Sequence, residues 1–105
     1  MENPFSEEGG TASELVLQRA KDAISTELEG ETVILNIETG IYNGLDQVGT
    51  SIWNHLEDSI SFSELHRRIV EEYDVSEEQC SVDLRSFLKD MLDNRLIAIV
   101  TDEAA

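Results

Sequence analysis

The sequence predicts an α+β domain, because its apolar residues change spacing once along the chain. Up to Leu45 they largely alternate with polar residues, which is the period of strands with one buried face. After Leu45 they recur about every 3.6 residues, the period of an amphipathic helix. Capping-box patterns begin at Ser61 and Ser76, where two of these helical segments start. Strands followed by helices favour a fold with helices on one face of an antiparallel sheet.

Three strands are expected before Leu45. Residues 23–28 alternate and are followed by a turn at 29–31. Residues 32–38 are rich in β-branched side chains, which suits a central strand. A tight turn at Thr39-Gly40 returns the chain as a third strand over 41–45. Two tight connections in sequence predict a three-stranded meander whose third strand lies at an edge.

Three helices are expected after Leu45. Asp46 can cap the first, and the two capping boxes start the second and third. A short strand or extended segment is expected at 97–100. The meander with these helices predicts a winged helix-turn-helix fold. The apolar stripes of the three helices are, in turn, Val48, Ile52, Trp53 and Leu56; Leu65, Ile69, Val70 and Tyr73; and Cys80, Leu84, Phe87, Leu88, Met91 and Leu92.

The 105 residues fit one domain with one modest core. Residues 1–13 are polar and are expected to be a flexible tail, so the domain is placed at 14–105. Residues 15–21 form a lead-in that is either helical or extended. No apolar run approaches the roughly 20 residues of a membrane helix. The N-terminus lacks the basic start and apolar stretch of a signal peptide, so a cytoplasmic location is expected.

The chain is strongly acidic, with 23 acidic and 7 basic residues and a net charge of −16. This balance opposes nucleic-acid binding, which depends on Lys and Arg neutralising phosphates. It also opposes an anionic membrane surface. A basic partner would be attracted, although most of these charges are expected simply to be solvated.

The sequence shows no catalytic constellation. The two histidines, His55 and His66, fall on different predicted helices, and the single cysteine, Cys80, falls on an apolar stripe. No phosphate-binding glycine loop and no metal-ligand spacing is present. We therefore expect a protein that is not an enzyme and has no cofactor or metal.

The helix-turn-helix order makes DNA binding a possible function, so a winged-helix transcriptional regulator is the alternative. A recognition helix should carry basic or amide side chains toward the groove. The third helix does not fit this requirement well, because Arg85, Lys89 and Arg95 are outnumbered by Glu77, Glu78, Asp83, Asp90 and Asp93. A structural subunit that pairs permanently through its sheet edge is a third possibility.

The third strand is a candidate peptide-binding edge, because an edge strand leaves backbone N–H and C=O groups unpaired. It contains no Lys or Pro that would block pairing, and Gly44 would let another backbone come close. The pattern leaves open whether a helix or the C-terminal segment covers this edge. If it is free, an extended peptide can add as a fourth strand. The strand residues concerned are Ile41, Tyr42, Asn43, Gly44 and Leu45.

The third helix is the expected second wall of this site. Leu84, Leu88 and Met91 lie on one line at i, i+4 and i+7, and plain core packing is the alternative role for them. Arg85 and Lys89 flank this line. They either meet an acidic side chain of the peptide or pair with Asp and Glu one turn away.

Several segments resemble the PqqD-like family. They are the run 33–49 with the following Ile52-Trp53, the helix ending Glu72-Tyr73-Asp74-Val75, the pattern Val82-Asp83-Leu84-x-x-Phe87-Leu88-x-x-x-Leu92, and Leu96-Ile97. The similarity covers about residues 22–100. Members of this family are recognition elements for the leaders of ribosomally synthesised, post-translationally modified peptides (RiPPs).

The resemblance implies a winged-helix fold in which the leader of a precursor peptide adds to the third strand, beside the third helix. Carried over by position, the strand is 41–45 and the wall is drawn from Leu84, Arg85, Leu88, Lys89 and Met91. Stand-alone members of this size resemble the leader-binding subunit of lasso-peptide systems, which works with a leader protease and a cyclase. Others resemble the chaperone of pyrroloquinoline quinone synthesis, which serves a radical-SAM enzyme. We favour the lasso type.

Overall fold

A computed structural model describes residues 4–5 and 15–100 of the chain. The predicted order of strands followed by helices is confirmed, with additional short strands. The elements are β1 (Val16–Arg19), β2 (Ala23–Leu28), β3 (Glu31–Asn36), β4 (Ile41–Leu45), α1 (Gln47–His55), β5 (Ile60–Ser61), α2 (Phe62–Tyr73), α3 (Glu77–Asp93) and β6 (Ile97–Val100).

Strands β2, β3 and β4 form the predicted antiparallel meander, which we call the wing sheet. The first turn places Glu29 and Gly30 at φ 55° and 83°, as a two-residue hairpin turn with a right-handed twist requires. The second turn is fixed by Asn36, whose carbonyl accepts a hydrogen bond from Gly40 N at 2.8 Å. The Asn36 side-chain Oδ1 also accepts one from Thr39 N at 3.0 Å. Both turns keep the three strands in sequence order, with β4 at an edge.

A second three-stranded sheet, in the order β5-β1-β6, was not predicted. The lead-in over 15–21 is extended rather than helical and supplies the central strand β1. The predicted strand at 97–100 is confirmed as β6, which pairs antiparallel with β1. Because β6 pairs with β1, it lies away from the wing edge.

The three predicted helix caps are confirmed. Asp46 Oδ1 accepts a hydrogen bond from Gly49 N at 2.8 Å, while Ser61 and Ser76 cap α2 and α3 in the same way. The helices pack around one core, which holds Leu17, Trp53, Leu56, Leu65, Leu88 and Leu96 among its most buried side chains.

Buried polar contacts tie the wing sheet to the helices. Thr32 Oγ1 on β3 donates to Thr50 Oγ1 on α1 at 2.9 Å, and both side chains are buried. Asn36 Nδ2 donates to the carbonyl of Arg95, just after α3, at 2.7 Å. Since buried polar groups must be paired, these contacts fix the position of β3 relative to α1 and α3.

Part of the predicted tail 1–13 is described, and it packs on the domain. Phe5 is fully buried, with its ring 6.3 Å from that of Phe62. Its carbonyl accepts a hydrogen bond from Arg85 Nη1. The rest of residues 1–13 lies outside the described residues, so the boundary between tail and domain stays a prediction.

Over residues 4–5 and 15–100, no helix has both the length and the apolar composition needed to cross a bilayer.

Candidate peptide-binding site

The outer side of β4 is the free edge of the wing sheet. β4 pairs with β3 on one side, and none of the other strands in the described residues pairs with it on the other. The sequence left open whether the C-terminal segment fills this position. Up to Val100 it does not, because that part of the segment pairs with β1.

The backbone groups that β4 presents at this edge follow from the ladder geometry. Ile37 N donates to Asp22 O at 2.8 Å, so the odd-numbered residues of β3 direct their backbone groups toward β2. The even-numbered residues of β3 therefore bond to β4, and Asn43, the partner of Ile34, points its own groups back toward β3. Tyr42 and Gly44 must then direct their N–H and C=O groups away from β3, which gives four backbone groups that no described strand pairs with.

The two faces of β4 differ in what they meet. Side chains of paired residues share a face of the sheet, and the β3 partners Thr32, Ile34 and Asn36 are buried. Their β4 partners therefore lie on the face of the sheet that packs on the helices, while Tyr42 and Gly44 lie on the opposite face. The helix-facing β4 residues are Ile41, Asn43 and Leu45.

Gly44 is not required by the packing of the wing sheet itself. A Cβ placed on Gly44 would meet no atom within 4 Å, and its φ is not positive. Intramolecular sterics would therefore accept another residue here. A glycine in such a strand is typical of a place where another backbone approaches closely.

Gly49 brings α1, β4 and α3 together. A Cβ at Gly49 would lie 3.2 Å from Leu45 Cβ and 3.3 Å from Phe87 Cε1. Any side chain at this position would push Leu45 or Phe87 away by a few tenths of an ångström, so glycine favours this close approach. The half-buried Phe87 ring therefore lies near Leu45, at the C-terminal end of β4, and the flank of α3 that carries Phe87 is the one next to this end of the strand.

Three of the predicted wall residues lie in the core. Leu84, Leu88 and Met91 are 2%, 0% and 3% exposed, so their side chains pack in the core beneath the surface of α3. Direct contact between these side chains and a peptide stays a prediction.

The two predicted cations lie on the other flank of α3. Arg85 is two residues before Phe87, which is about 200° around a helix. Its Nε donates to Ser81 Oγ at 3.0 Å, and its guanidinium lies 5.0 Å from the centre of the Phe62 ring. Lys89 Nζ donates to Asp93 Oδ2 at 2.5 Å, one turn along the helix. Both cations therefore contact groups of this chain on the side away from β4, and their predicted contact with a peptide stays untested.

A largely apolar cavity of about 440 Å³ opens where β4 ends and α1 begins. It lies between α1, the end of α2 and the first half of α3. Cys80 lines it, and burial together with the Asp83 carboxylate raises the pKa of the Cys80 thiol. A raised thiol pKa fits the predicted role of Cys80 as a small apolar residue. The cavity was not predicted, because its wall comes from three helices.

A row of apolar side chains crosses the outward face of the wing sheet. Ile24, Leu35 and Tyr42 are cross-strand neighbours on β2, β3 and β4. Ile24 and Tyr42 are 52% and 68% exposed, and Val33 beside them is 44% exposed. We call Ile24, Val33, Leu35 and Tyr42 the outer patch. Exposed apolar patches on small proteins often mark interaction surfaces.

Both histidines contact groups of this chain. His55 Nε2 lies 3.2 Å from Glu72 Oε1 and links α1 to α2. The His66 ring stacks on Phe62 at 6.1 Å between centroids. In the described part of the chain, His, Cys, Asp and Glu side chains do not group in threes as metal ligands would.

The basic residues of α2 are engaged in ion pairs within the helix. Arg67 pairs with Glu64 and with Glu71, and Arg68 Nε lies 3.0 Å from Glu64 Oε2. Hydrogen bonds from Arg67 and Arg68 lower the pKa of Glu64 to about 2. This surface therefore presents little free positive charge to a phosphate backbone.

The fold and the edge define a class: a winged helix-turn-helix domain whose last wing strand has an outer edge that no other described strand pairs with. This strand ends where Gly49 of α1 approaches Phe87 of α3. The family model for coenzyme PQQ synthesis protein D (PqqD) matches residues 31–97, and the chain belongs to this family. The predicted resemblance is thereby confirmed. A search of the curated proteins found no match.

A solved structure with a similar fold is described as "TbiB1 in Complex with the TbiA(beta) Leader Peptide". It is 33% identical in sequence and has a TM-score of 0.74. The match covers 81% of this chain and 99% of the other.

Proposed function

We propose that this protein is a leader-peptide-binding adaptor, a RiPP recognition element of the lasso type. It binds the leader of a precursor peptide as a fourth strand on β4 and carries out no bond chemistry itself. The observation that carries the proposal is the free edge of β4, with the backbone groups of Tyr42 and Gly44 directed outward. The similar TbiB1 structure, which is described as a complex with a leader peptide, supports it.

Strand addition gives affinity with little sequence preference. Four backbone hydrogen bonds contribute about 0.5–1.5 kcal/mol each after exchange with water. Sequence preference then comes from alternate side chains of the leader, which point to the two faces of the extended sheet. One set faces α3 and the helix side, next to Ile41 and Leu45, and the other set extends the outer patch.

The partner that we propose for the outer patch is a processing enzyme of the same pathway. In a lasso-peptide system this enzyme is a leader protease, which acts with a cyclase. In a system like that of pyrroloquinoline quinone synthesis it is a radical-SAM enzyme. Binding leader and enzyme at adjacent surfaces raises the effective concentration of the substrate near the active site. We place this assembly in the cytoplasm and assign residues 14–105 to the recognition domain.

Hydrogen exchange on a peptide complex tests the proposed function. A 20-residue random library displayed on mRNA is selected against the protein, and the most enriched peptide serves as the probe. Amide exchange at Tyr42 and Gly44 should slow when this peptide is added, because both N–H groups become bonded. Asn43, whose N–H already bonds to β3, provides the internal control. Protection confined to α2 or α3, with Tyr42 and Gly44 unchanged, would contradict strand addition.

The enzyme partner is tested separately on the outer patch. Ile24→Asp places a charge in the patch without touching β4, so peptide affinity should stay unchanged. Leader removal by the protease of the same system should slow by about tenfold or more, since a buried charge in an apolar contact is strongly unfavourable. Val82→Asp, at an exposed apolar position on α3, is the matched control. Equal rates of leader removal with the two variants would show that the outer patch does not bind the processing enzyme.

A further inference from the structure

The cavity beside the end of β4 is apolar within and acidic in charge. Its apolar lining includes Val48, Ile52, Ile69, Tyr73, Leu84 and Phe87. Asp46 and Asp83 also line it, and among the lining residues that the structure describes there is no Lys, Arg or His. Asp90 follows Asp83 by seven residues, so it lies on the same flank of α3. This side of the site is therefore complementary to an apolar group accompanied by positive charge.

The two lining carboxylates keep acceptor capacity for a guest. Asp46 Oδ1 accepts from Gly49 N at 2.8 Å, and Asp83 Oδ1 accepts from Gln79 Nε2 at 3.0 Å. A carboxylate has two oxygens and about four lone-pair sites, so one such bond does not exhaust it. Neither bond partner is a cation, so neither carboxylate is neutralised by it.

The position of the cavity makes it continuous with the free edge. β4 ends at Leu45, and Asp46, Val48 and Gly49 of the next turn form part of the cavity lining. A peptide paired with Tyr42 and Gly44 would pass the cavity as it leaves the strand. A cavity of about 440 Å³ is within the range of sites that bury a ligand group.

We propose, resting on the proposed function, that this cavity selects the leader. The selected feature is a bulky apolar side chain just outside the stretch paired with β4, with a Lys or Arg next to it in sequence. The apolar side chain enters the cavity, and the cation lies against Asp83 and Asp46. Acidic residues at this position are rejected, because the guest would bring like charge to a chain of net charge −16.

The test uses peptides selected from the random library in two parallel experiments, one on the wild type and one on Asp83→Asn. Wild-type selection should enrich a bulky apolar residue next to Lys or Arg, and the variant should lose the enrichment of the cation. Changing the cation of the best peptide to Glu should weaken wild-type binding by about fivefold or more. Changing its apolar residue to Ala should weaken binding by about tenfold or more.

Matched variants separate the site from general charge and surface effects. Asp83→Asn should weaken binding of the best peptide by about two- to fivefold, as for an exposed ion pair. Asp93→Asn changes the net charge equally, but Asp93 lies about 15 Å further along α3, where it pairs with Lys89, so the Kd should stay unchanged. Val48→Ser should weaken binding while Val82→Ser should not, since only Val48 lines the cavity. Circular dichroism and the Tm of each variant show whether it is folded.

The outcomes distinguish the two proposals. If the peptides bind in a Gly44-dependent way but tolerate Glu in place of the cation, or show no apolar preference, the cavity proposal is wrong and the adaptor proposal stands. If no selected peptide depends on the β4 edge, the proposed function fails, and the cavity proposal fails with it.

Discussion

The two flanks of α3 carry opposite kinds of surface. On one flank, Arg85 and Lys89 are engaged by groups of this chain, including the carbonyl of Phe5. On the other, Phe87 lies next to Leu45 at the end of the free strand β4. Because positive charge is scarce in this acidic chain, the sequence suggested that Arg85 and Lys89 contact an acidic side chain of the peptide. In this structure, however, Arg85 contacts Ser81 and the carbonyl of Phe5, and Lys89 pairs with Asp93 of the same helix. The residue of α3 next to the end of β4 is the aromatic Phe87.

The largest expected effect comes from Leu88, which lies between the two flanks and is fully buried. Leu88→Ala should lower the free energy of unfolding by about 2–5 kcal/mol, because it removes buried methyl groups and leaves a cavity. Urea titration measures this loss. A small loss of stability combined with a large loss of peptide affinity would make Leu88 a contact residue, as the sequence predicted.

A pair of substitutions on the two flanks separates binding from stability. Phe87→Ala should weaken peptide binding by about tenfold, because a partly buried aromatic side chain that borders the groove is lost. Arg85→Ala should lower the Tm, because it removes the contacts with Phe5 and Phe62, and should leave the Kd of the folded protein unchanged. Fluorescence polarisation and thermal unfolding on both variants provide the four values. The reverse pattern would move the site to the Arg85 flank.

Lys89 should matter little on either measure. It pairs with Asp93 one turn away at the surface, and such pairs contribute about 0.3–0.5 kcal/mol. Lys89→Glu should therefore lower the free energy of unfolding only slightly, with an unchanged Kd for the selected peptide. A severalfold change in Kd would show that Lys89 contacts the peptide, as the sequence predicted.

The smallest effect is expected from pH, through the Glu64 carboxylate on α2. Its pKa is lowered from 4.5 to about 2, so its ion pairs are fully present above the ordinary value. Their stabilisation should be lost as the pH falls from about 4.5 toward 2. A Tm series over this range, with Arg67→Ala and Arg68→Ala as the comparison, should show a slightly shallower fall in the variants. Identical slopes would mean that these pairs do not stabilise the helix.

The sequence predicted the features that depend on neighbouring residues. The caps at Asp46, Ser61 and Ser76 involve hydrogen bonds over three residues, and the meander depends on tight turns. The sheet β5-β1-β6 escaped prediction because β5 has two residues, too few to show a period, and its partners are distant in sequence.

The edge position of β4 could be predicted from the sequence, whereas the flank of α3 next to it could not. The two tight turns place 41–45 at an edge, whereas the flank of α3 that lies next to this strand depends on a tertiary contact. That contact is the close approach of Gly49 to Phe87, which no local pattern reports. The turn was predicted from Thr39-Gly40, while Asn36, a polar residue inside a β-branched run, was a further signal for it and for the contact with Arg95.

The most direct test of the account compares Gly44→Pro with Gly44→Ala in binding of the selected peptide by fluorescence polarisation. Proline removes the outward N–H of Gly44, whereas alanine keeps it and meets open space on the other face. We expect Gly44→Pro to abolish binding while its helix content stays that of the wild type, and Gly44→Ala to bind as the wild type does. Wild-type affinity in a folded Gly44→Pro variant would contradict the claim that a peptide adds to this edge.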